Sequence, residues 1–245
     1  MRVIGGTFGG RRLRAVEGHV TRPTSDRVRE ALFSRLEARY GLEGSSVLDV
    51  FAGTGALAIE ALSRGASRAV CIELERRAIE TLRGNLRELE LVNKVRVMGD
   101  DYRRVLVKLA QRSDVAAGAA ADDAGARHEG RAPATPASRL AQVLTPESRR
   151  FDGVFIDPPY GKGLALEALA AVAEFSLVKT GGWVTVEVGR RELTPEDVEG
   201  PKVVLKRVRE DTYGDTKLAL YEALARVAQN EHVGDQRLPT AEVER

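Results

Sequence analysis

The residues of this 245-residue chain that invite a chemical reading begin with Leu48-Asp49-Val50-Phe51-Ala52-Gly53-Thr54-Gly55-Ala56, an apolar run that ends in a glycine loop and opens a helical pattern. Glycines there let backbone approach a ligand closely, and the helix that follows offers unpaired N–H groups to it. Gly53, Gly55 and Ala58 satisfy the G-x-G-x-x-G/A spacing of dinucleotide sites, and Glu73, ending the next apolar run, is placed to hold ribose hydroxyls. On these residues alone NAD is a real candidate ligand. Three features weigh against it. Asp49 puts a carboxylate where a pyrophosphate would be repelled, whereas a sulfonium carrying an amino-acid group, a cationic methyl donor, would be attracted. Asp100 ends a third apolar run and can accept a hydrogen bond from an adenine amino group, with Asp101 as the alternative partner, while Asp157-Pro158-Pro159-Tyr160 ends a fourth. Finally, the chain closes on two apolar runs with no helix between them, a hairpin that dinucleotide domains usually lack.

The elements that must position these residues follow from hydrophobic periodicity. Apolar runs at Val47 to Val50, Ala69 to Ile72, Val95 to Met98, Gly153 to Ile156 and Trp183 to Glu187 alternate with helical patterns at Ala56 to Ser63, Glu75 to Leu89, Arg103 to Gln111 and Leu164 to Glu174. That alternation demands a mostly parallel sheet covered on both faces, and Val203 to Arg209 with Lys217 to Glu222 add an antiparallel hairpin closing the sheet edge. The predicted fold is α/β, a doubly wound, Rossmann-like sheet of seven strands. Ahead of it, Arg2 to Ile4 and Arg12 to Val16 flank Gly5, Gly6, Gly9 and Gly10 and read as a small β-hairpin too short to fold alone. A helix capped by Thr24 or Ser25 follows, with Val28, Ala31, Leu32 and Leu36 on its buried side. The expected organisation is a basic extension over 1–40, a core over 41–225 and a polar tail over 226–245. The core is interrupted at 113–149 by an alanine- and proline-biased insertion that the fold does not need, with at most a helical turn at Arg139 to Leu144.

Composition bounds the chemistry. With 43% apolar residues the chain fills a sizeable core. It has no apolar run near the roughly 18 residues that cross a membrane and no secretory stretch at its start, so a soluble, cytoplasmic protein is expected. Cys71 is the single cysteine and His19, His128 and His232 are the only histidines, which excludes an intrachain disulfide and a Cys/His zinc cluster, and no metal is expected. Cys71 reads as a small core residue, Trp183 as a strand-packing ring and His19 as an exposed bystander. The net charge is only +2, but residues 1–40 carry nine arginines against four acids. Arg2, Arg11, Arg12, Arg14, Arg22 and Arg27, with Arg29, could grip a polyanion such as RNA, although a solvated arginine-rich face would look the same from charge alone.

Residues 46–111 and 151–222 resemble the class I S-adenosylmethionine-dependent methyltransferases, and Asp157-Pro158-Pro159-Tyr160 matches their (D/N/S)-P-P-(Y/F/W) signature for methylation of planar amino nitrogens. Arg2-Val3-Ile4-Gly5-Gly6, together with Thr21-Arg22-Pro23-Thr24-Ser25-Asp26-Arg27-Val28-Arg29-Glu30-Ala31-Leu32-Phe33, looks like the RsmD family, which methylates the N2 amine of one guanine in small-subunit (16S) ribosomal RNA. The resemblance covers nearly everything except the insertion and the tail. It implies that Asp49, Phe51, Gly53, Thr54 and Gly55 hold the methionine end of S-adenosylmethionine, Glu73 its ribose, and Asp100 or Asp101 its adenine. It also implies that Asp157, Pro158, Pro159 and Tyr160 hold the target base, and that the partner is ribosomal RNA or the assembled small subunit. The physical logic is that the guanine N2 lone pair is delocalised into the ring and attacks a methyl carbon poorly. Hydrogen bonds from its protons to Asp157 and the Pro158 carbonyl would steer that lone pair, while Tyr160 would stack on the ring.

Rival readings share some of these residues. A DNA or other RNA amino-methyltransferase can carry the same tetrapeptide, but the DNA enzymes usually add a sizeable target-recognition domain that this chain does not offer. A glutamine-modifying protein methyltransferase typically begins its tetrapeptide with Asn. A non-catalytic RNA-binding relative would have no use for intact Asp49, Glu73 and Asp157.

Overall fold

The computed structural model describes residues 1–16, 26–118, 150–159 and 161–226, the side chains of 112–118 excepted. Tyr160, His19, Arg22, the expected caps Thr24 and Ser25, residues 119–149 of the predicted insertion, and the tail beyond Arg226 lie outside the described residues.

Five strands, β1 (Ser46–Asp49), β2 (Arg68–Glu73), β3 (Val95–Gly99), β4 (Phe151–Ile156) and β5 (Val178–Gly189), pair in parallel. Three more, β6 (Asp197–Glu199), β7 (Val203–Tyr213) and β8 (Thr216–Ala225), join through antiparallel pairings, giving the order β3-β2-β1-β4-β5-β8-β7-β6. The sheet has eight strands rather than the predicted seven. The addition is β6, three residues pairing with Val204 to Lys206, so it and not the β7–β8 hairpin forms the edge. Asp197-Val198-Glu199 is too short to show a period-2 pattern, and only register with β7 makes it a strand.

Helices α1 (Asp26–Tyr40), α2 (Ala56–Ser63) and α3 (Arg76–Glu88) share an apolar cluster on one face of the sheet, while α4 (Tyr102–Gly118) and α5 (Leu164–Glu174) share the cluster on the other. All four residues of β1 are buried, as a strand covered on both faces requires. Two boundaries differ from expectation. Asp101 caps α4, its carboxylate accepting the Arg103 amide at 2.9 Å. The α4 backbone is helical past the predicted end at Gln111, carried by a stretch containing Ala116 and Ala117 into the start of the presumed insertion.

The N-terminal segment is built onto α2. A single antiparallel bridge, Arg2 to Arg12, joins its limbs, and Val3 and Leu13 are buried in the same cluster as Leu32, Phe33 and Leu36 of α1. The carboxylate of Glu60, in the middle of α2, accepts the amides of Ile4 at 2.7 Å and Gly5 at 2.9 Å, and Ser63 Oγ accepts that of Phe8 at 2.9 Å. Arg64, just past α2, donates to Glu60, Glu37 and Glu30 and so fastens α1 to α2. The basic extension is thus continuous with the core.

Trp183 is buried beneath the sheet against Phe155, ring centroids 4.9 Å apart, and Tyr40 at 6.5 Å, in agreement with a packing role. Its indole fills the space over Gly153, where a Cβ would lie 2.0 Å from Cζ2. Gly153→Ala should therefore destabilise the fold by about 2 kcal/mol or more, the usual cost of overpacking a rigid core, measured by urea unfolding.

Candidate active site

The strand order reverses between β1 and β4, and in a parallel sheet the crevice at that point, beyond the carboxyl ends of the strands, is where ligands bind. The predicted chemistry-bearing residues fall on this edge: Asp49 ends β1, Glu73 ends β2, Asp100 follows β3 and Asp157 follows β4.

Asp49 is 1% exposed, and neither carboxylate oxygen has a hydrogen-bond partner. Burial pushes its pKa from 3.8 up to about 7. The amides of Ala58 and Phe51 offset this only partly, because neither meets an oxygen in hydrogen-bond geometry, and the negative Glu73 adds to the rise. An orphaned, desolvated anion of this kind is suited to a cationic group brought to it. Cys71, beside it in register on β2, is buried, and burial with the Asp49 charge raises its pKa, so the thiol is an inert core group as expected.

Glu73 shapes the loop. One carboxylate oxygen accepts the Gly53 amide at 2.7 Å and the other the amides of Leu74 and Glu75, each at 2.8 Å, leaving lone pairs for further donors. The loop turns into α2 at Gly55, whose φ of 88° is left-handed and whose Cβ would lie 2.3 Å from Leu82 Cδ1, so only glycine fits. Phe51 packs its ring on Tyr102, centroids 4.8 Å apart. Thr54 presents its carbonyl to Asn85 Nδ2 at 3.0 Å.

Asn85 is a residue that sequence reasoning missed. It is fully buried on α3, and its Oδ1 accepts the Arg14 amide at 2.8 Å, so one side chain ties the glycine loop to the N-terminal segment. Nothing but its place on the apolar side of α3 marks it in the sequence.

Asp100 and Asp101 are now distinguishable. Asp100 is paired with Lys108 at 2.7 Å and Arg104 at 3.5 Å, and Lys108 foremost holds its carboxyl below the usual range. Asp101, expected to be either a solvated neighbour or the adenine partner, spends an oxygen on the α4 cap and faces Arg103 at 3.5 Å. Asp157 is half-buried, Pro158 buried and Pro159 exposed. The two prolines line a recess with Gly163, Glu187, Val188 and Glu192. The turn adjoins the Asp49 loop because β4 and β1 are neighbours, with Val50 N donating to Phe155 O at 3.0 Å.

The basic residues divide. Arg29, expected on the phosphate-gripping surface, is 1% exposed and donates to Asp26 and to the Arg2 carbonyl, both at 2.7 Å. Its i, i+3, i+4 spacing to the core residues Leu32 and Phe33 turns it inward. Arg2 pairs with Asp26 at 3.0 Å, Arg14 with Glu88, and Arg11 reaches the Glu88 carbonyl at 3.4 Å. Arg12 and Arg27 are exposed and make no side-chain bond among the described residues. Among the described residues no group of three or more His, Cys, Asp or Glu is arranged to hold a metal, and no helix is long and apolar enough to cross a membrane.

With this geometry in view, residues 1–117 and 126–222 match the family profile described as Conserved hypothetical protein 95. A Bacillus subtilis (strain 168) relative, YlbH, is 32% identical over 222 residues, 91% of this chain and 98% of its own. The Escherichia coli (strain K12) protein named Ribosomal RNA small subunit methyltransferase D is 33% identical over 187 residues, 76% of this chain and 71% of its own. The solved structure of yhhF from Escherichia coli has a TM-score of 0.64 at 28% identity, covering 92% of this chain and 99% of that one.

The buried Asp49 has a consequence for stability. Because its folded pKa, about 7, lies above the unfolded 3.8, the folded state is favoured by protonation and loses stability as pH rises through that window. The stability of Asp49→Asn relative to wild type should rise by a few kcal/mol, on the order of 1.4 per pKa unit, between pH 4 and pH 8 and level off above about 7. Urea unfolding across that pH range measures it, and a pH-independent difference would remove the buried-anion account.

Proposed function

Because the chain belongs to this RsmD family of S-adenosylmethionine-dependent ribosomal RNA methyltransferases, we propose that it transfers a methyl group from S-adenosylmethionine to the N2 amine of a guanine in small-subunit ribosomal RNA. The observation that carries the reading is the pairing, on adjacent strands, of an unpartnered buried carboxylate at Asp49 with the Asp157-Pro158-Pro159 turn. When bound, the donor supplies an electrophilic methyl group on a sulfonium.

The chain's own residues do the rest. Asp49 receives the cationic end of the donor, and the Gly53–Gly55 backbone closes around it. Glu73 has lone pairs left for ribose hydroxyls, and Asp100, fixed by Lys108, accepts from the adenine amino group. Asp157 and the Pro158 carbonyl accept the two N2 protons of guanine, which turns the nitrogen lone pair out of the ring's conjugation and toward the methyl carbon. The prolines fix where that carbonyl points, and Tyr160 stacks on the ring. An arylammonium formed at N2 is acidic enough to lose its proton to water, so Asp157 serves first to orient. The substrate is the ribosomal RNA, free or in the assembled small subunit, reached in the cytoplasm.

Radiolabelled methyl transfer to small subunits from cells lacking the protein, followed by mapping of the modified nucleotide, tests the assignment; label on a base other than guanine, or on protein, overturns it. Asp157→Ala should lower turnover at least about a hundredfold, the order associated with one positioning group, while leaving the affinity for S-adenosylhomocysteine by calorimetry nearly unchanged.

For the RNA surface, the structure narrows the arginines worth changing. Arg12→Ala with Arg27→Ala removes charges that make no side-chain bond among the described residues, so RNA affinity should fall and its log-log salt slope flatten by roughly 0.7 to 0.9 for each phosphate no longer neutralised. Filter-binding titrations at several salt concentrations read both, and an unchanged slope would mean that these two side chains face only solvent.

A further inference from the structure

The loop that leaves β5 is the part of the strand-end edge that the roles above do not use. Arg190-Arg191-Glu192-Leu193-Thr194 lies beside the base-holding turn because β5 is the parallel neighbour of β4, Val186 standing in register with Ile156. Val188 and Glu192 line the same recess as Pro158 and Pro159.

The loop is braced along its length. Arg190 N donates to the Asp215 carbonyl in the β7–β8 turn at 2.8 Å, and Glu192 N to the Gly189 carbonyl at 2.9 Å. The Glu192 carboxylate accepts the Gly189 amide at 3.0 Å, and the Glu192 carbonyl accepts Lys217 Nζ at 2.9 Å. Beyond the tip, Thr194 is buried, its carbonyl and hydroxyl both bonded to Arg207 Nη1.

On this fixed frame Leu193 is 82% exposed, more than any other large apolar side chain among the described residues. A lone surface leucine is ordinarily unremarkable. This one stands on a braced tip, next to two exposed arginines that make no ion pair among the described residues, and its chain neighbour Glu192 lines the recess. Within the tip, Glu192 is bonded back onto the loop's own backbone, while Glu196, at the far end of the loop, stands 3.9 Å from Arg207. The tip therefore offers a polyanion one apolar point close to two cations, with its nearest carboxylate, Glu192, engaged by backbone.

A base drawn to the Asp157-Pro158-Pro159 turn leaves a gap in the stack it came from, and apolar side chains fill such gaps in nucleic acids. We propose that the loop after β5 is a second RNA contact, in which Leu193 occupies the place vacated by the target base while Arg190 and Arg191 hold the flanking phosphates. This rests on the RNA methyltransferase reading above.

The test uses the full chain with Leu193→Ala, Leu193→Met and the double change Arg190→Ala with Arg191→Ala. Each is assayed for methylation of undermethylated small subunits and, separately, for binding to small-subunit ribosomal RNA by filter retention. Because these side chains are exposed, melting temperature and S-adenosylhomocysteine affinity should match wild type. Leu193→Ala should lower kcat/KM about tenfold, the order of a few buried methylenes, and Leu193→Met should recover most of it. The double arginine change should raise KM and flatten the salt slope of RNA binding by roughly 0.7 for each phosphate no longer neutralised. Wild-type kcat/KM and RNA affinity in Leu193→Ala and the double variant would overturn the proposal, as would a Met variant as impaired as the Ala one. If wild type binds the RNA but methylates no subunit, the reaction assignment fails, and the binding series still decides whether the loop touches RNA.

Discussion

The carboxylate of Glu73 is the joint on which the strand-end edge depends. By accepting the amides of Gly53, Leu74 and Glu75 it clamps the loop after β1 to the loop after β2, at the two places where a parallel sheet leaves backbone groups without partners. The clamped loop sets where α2 begins, and α2 in turn carries Glu60, Ser63 and, just beyond it, Arg64, which hold the N-terminal segment and α1. Asn85 closes the circuit from α3 to both the loop and Arg14. A carboxylate set aside for ribose in a sequence reading is thus also the brace of the pocket, and the proposed RNA-facing segment is registered to the proposed donor site through a short series of buried hydrogen bonds.

Asp49 shows the opposite economy. A buried carboxylate with no hydrogen-bond partner is a cost to folding, and the amides of Ala58 and Phe51 offset it only in part. Such a group persists where a ligand completes it, and the like charge of Glu73 nearby sharpens the field that a cation would meet. A neutral or anionic ligand would leave Asp49 as destabilising as before. This is the physical reason that a sulfonium donor suits the loop and a pyrophosphate does not, although the glycine spacing admits both.

The parallel strands and their helices were legible because burial on both faces writes long apolar runs separated by helical periods, and α2 and α5 run as read, Ala56 to Ser63 and Leu164 to Glu174. What escaped has physical causes. β6 carries no pattern of its own and exists through pairing with β7. The bridging role of Asn85 and the capping role of Asp101 are decided by hydrogen bonds to backbone, which residue type permits but does not announce. Arg29 reads as surface charge because arginine usually is, yet its spacing to Leu32, Phe33 and Leu36 on the inner side of α1 buries it. Of the candidate site, the strand-end positions of Asp49, Glu73, Asp100 and Asp157 were legible because strand ends are; that Glu73 braces the loops and that Asn85 bridges them was not.

The same distinction governs the basic N-terminus. Counting arginines there suggests a strong positive field, but a charge that meets a carboxylate within the fold contributes little beyond it. Arg35 reaches Asp211 of β7 and Arg39 reaches Glu222 of β8, each at 2.6 Å, so these two tie α1 to the antiparallel end of the sheet. Arg2, Arg14 and Arg29 are likewise engaged with Asp26 or Glu88. Among the described residues most of these arginines are therefore fastening, and what is left there for a polyanion is Arg12 and Arg27. Sparse contacts of that kind cannot read a base sequence. They can only fit a polyanion whose phosphates already stand at matching points, so on the proposed RNA-binding role the folded shape of the RNA, and not its local sequence, would be the source of selectivity.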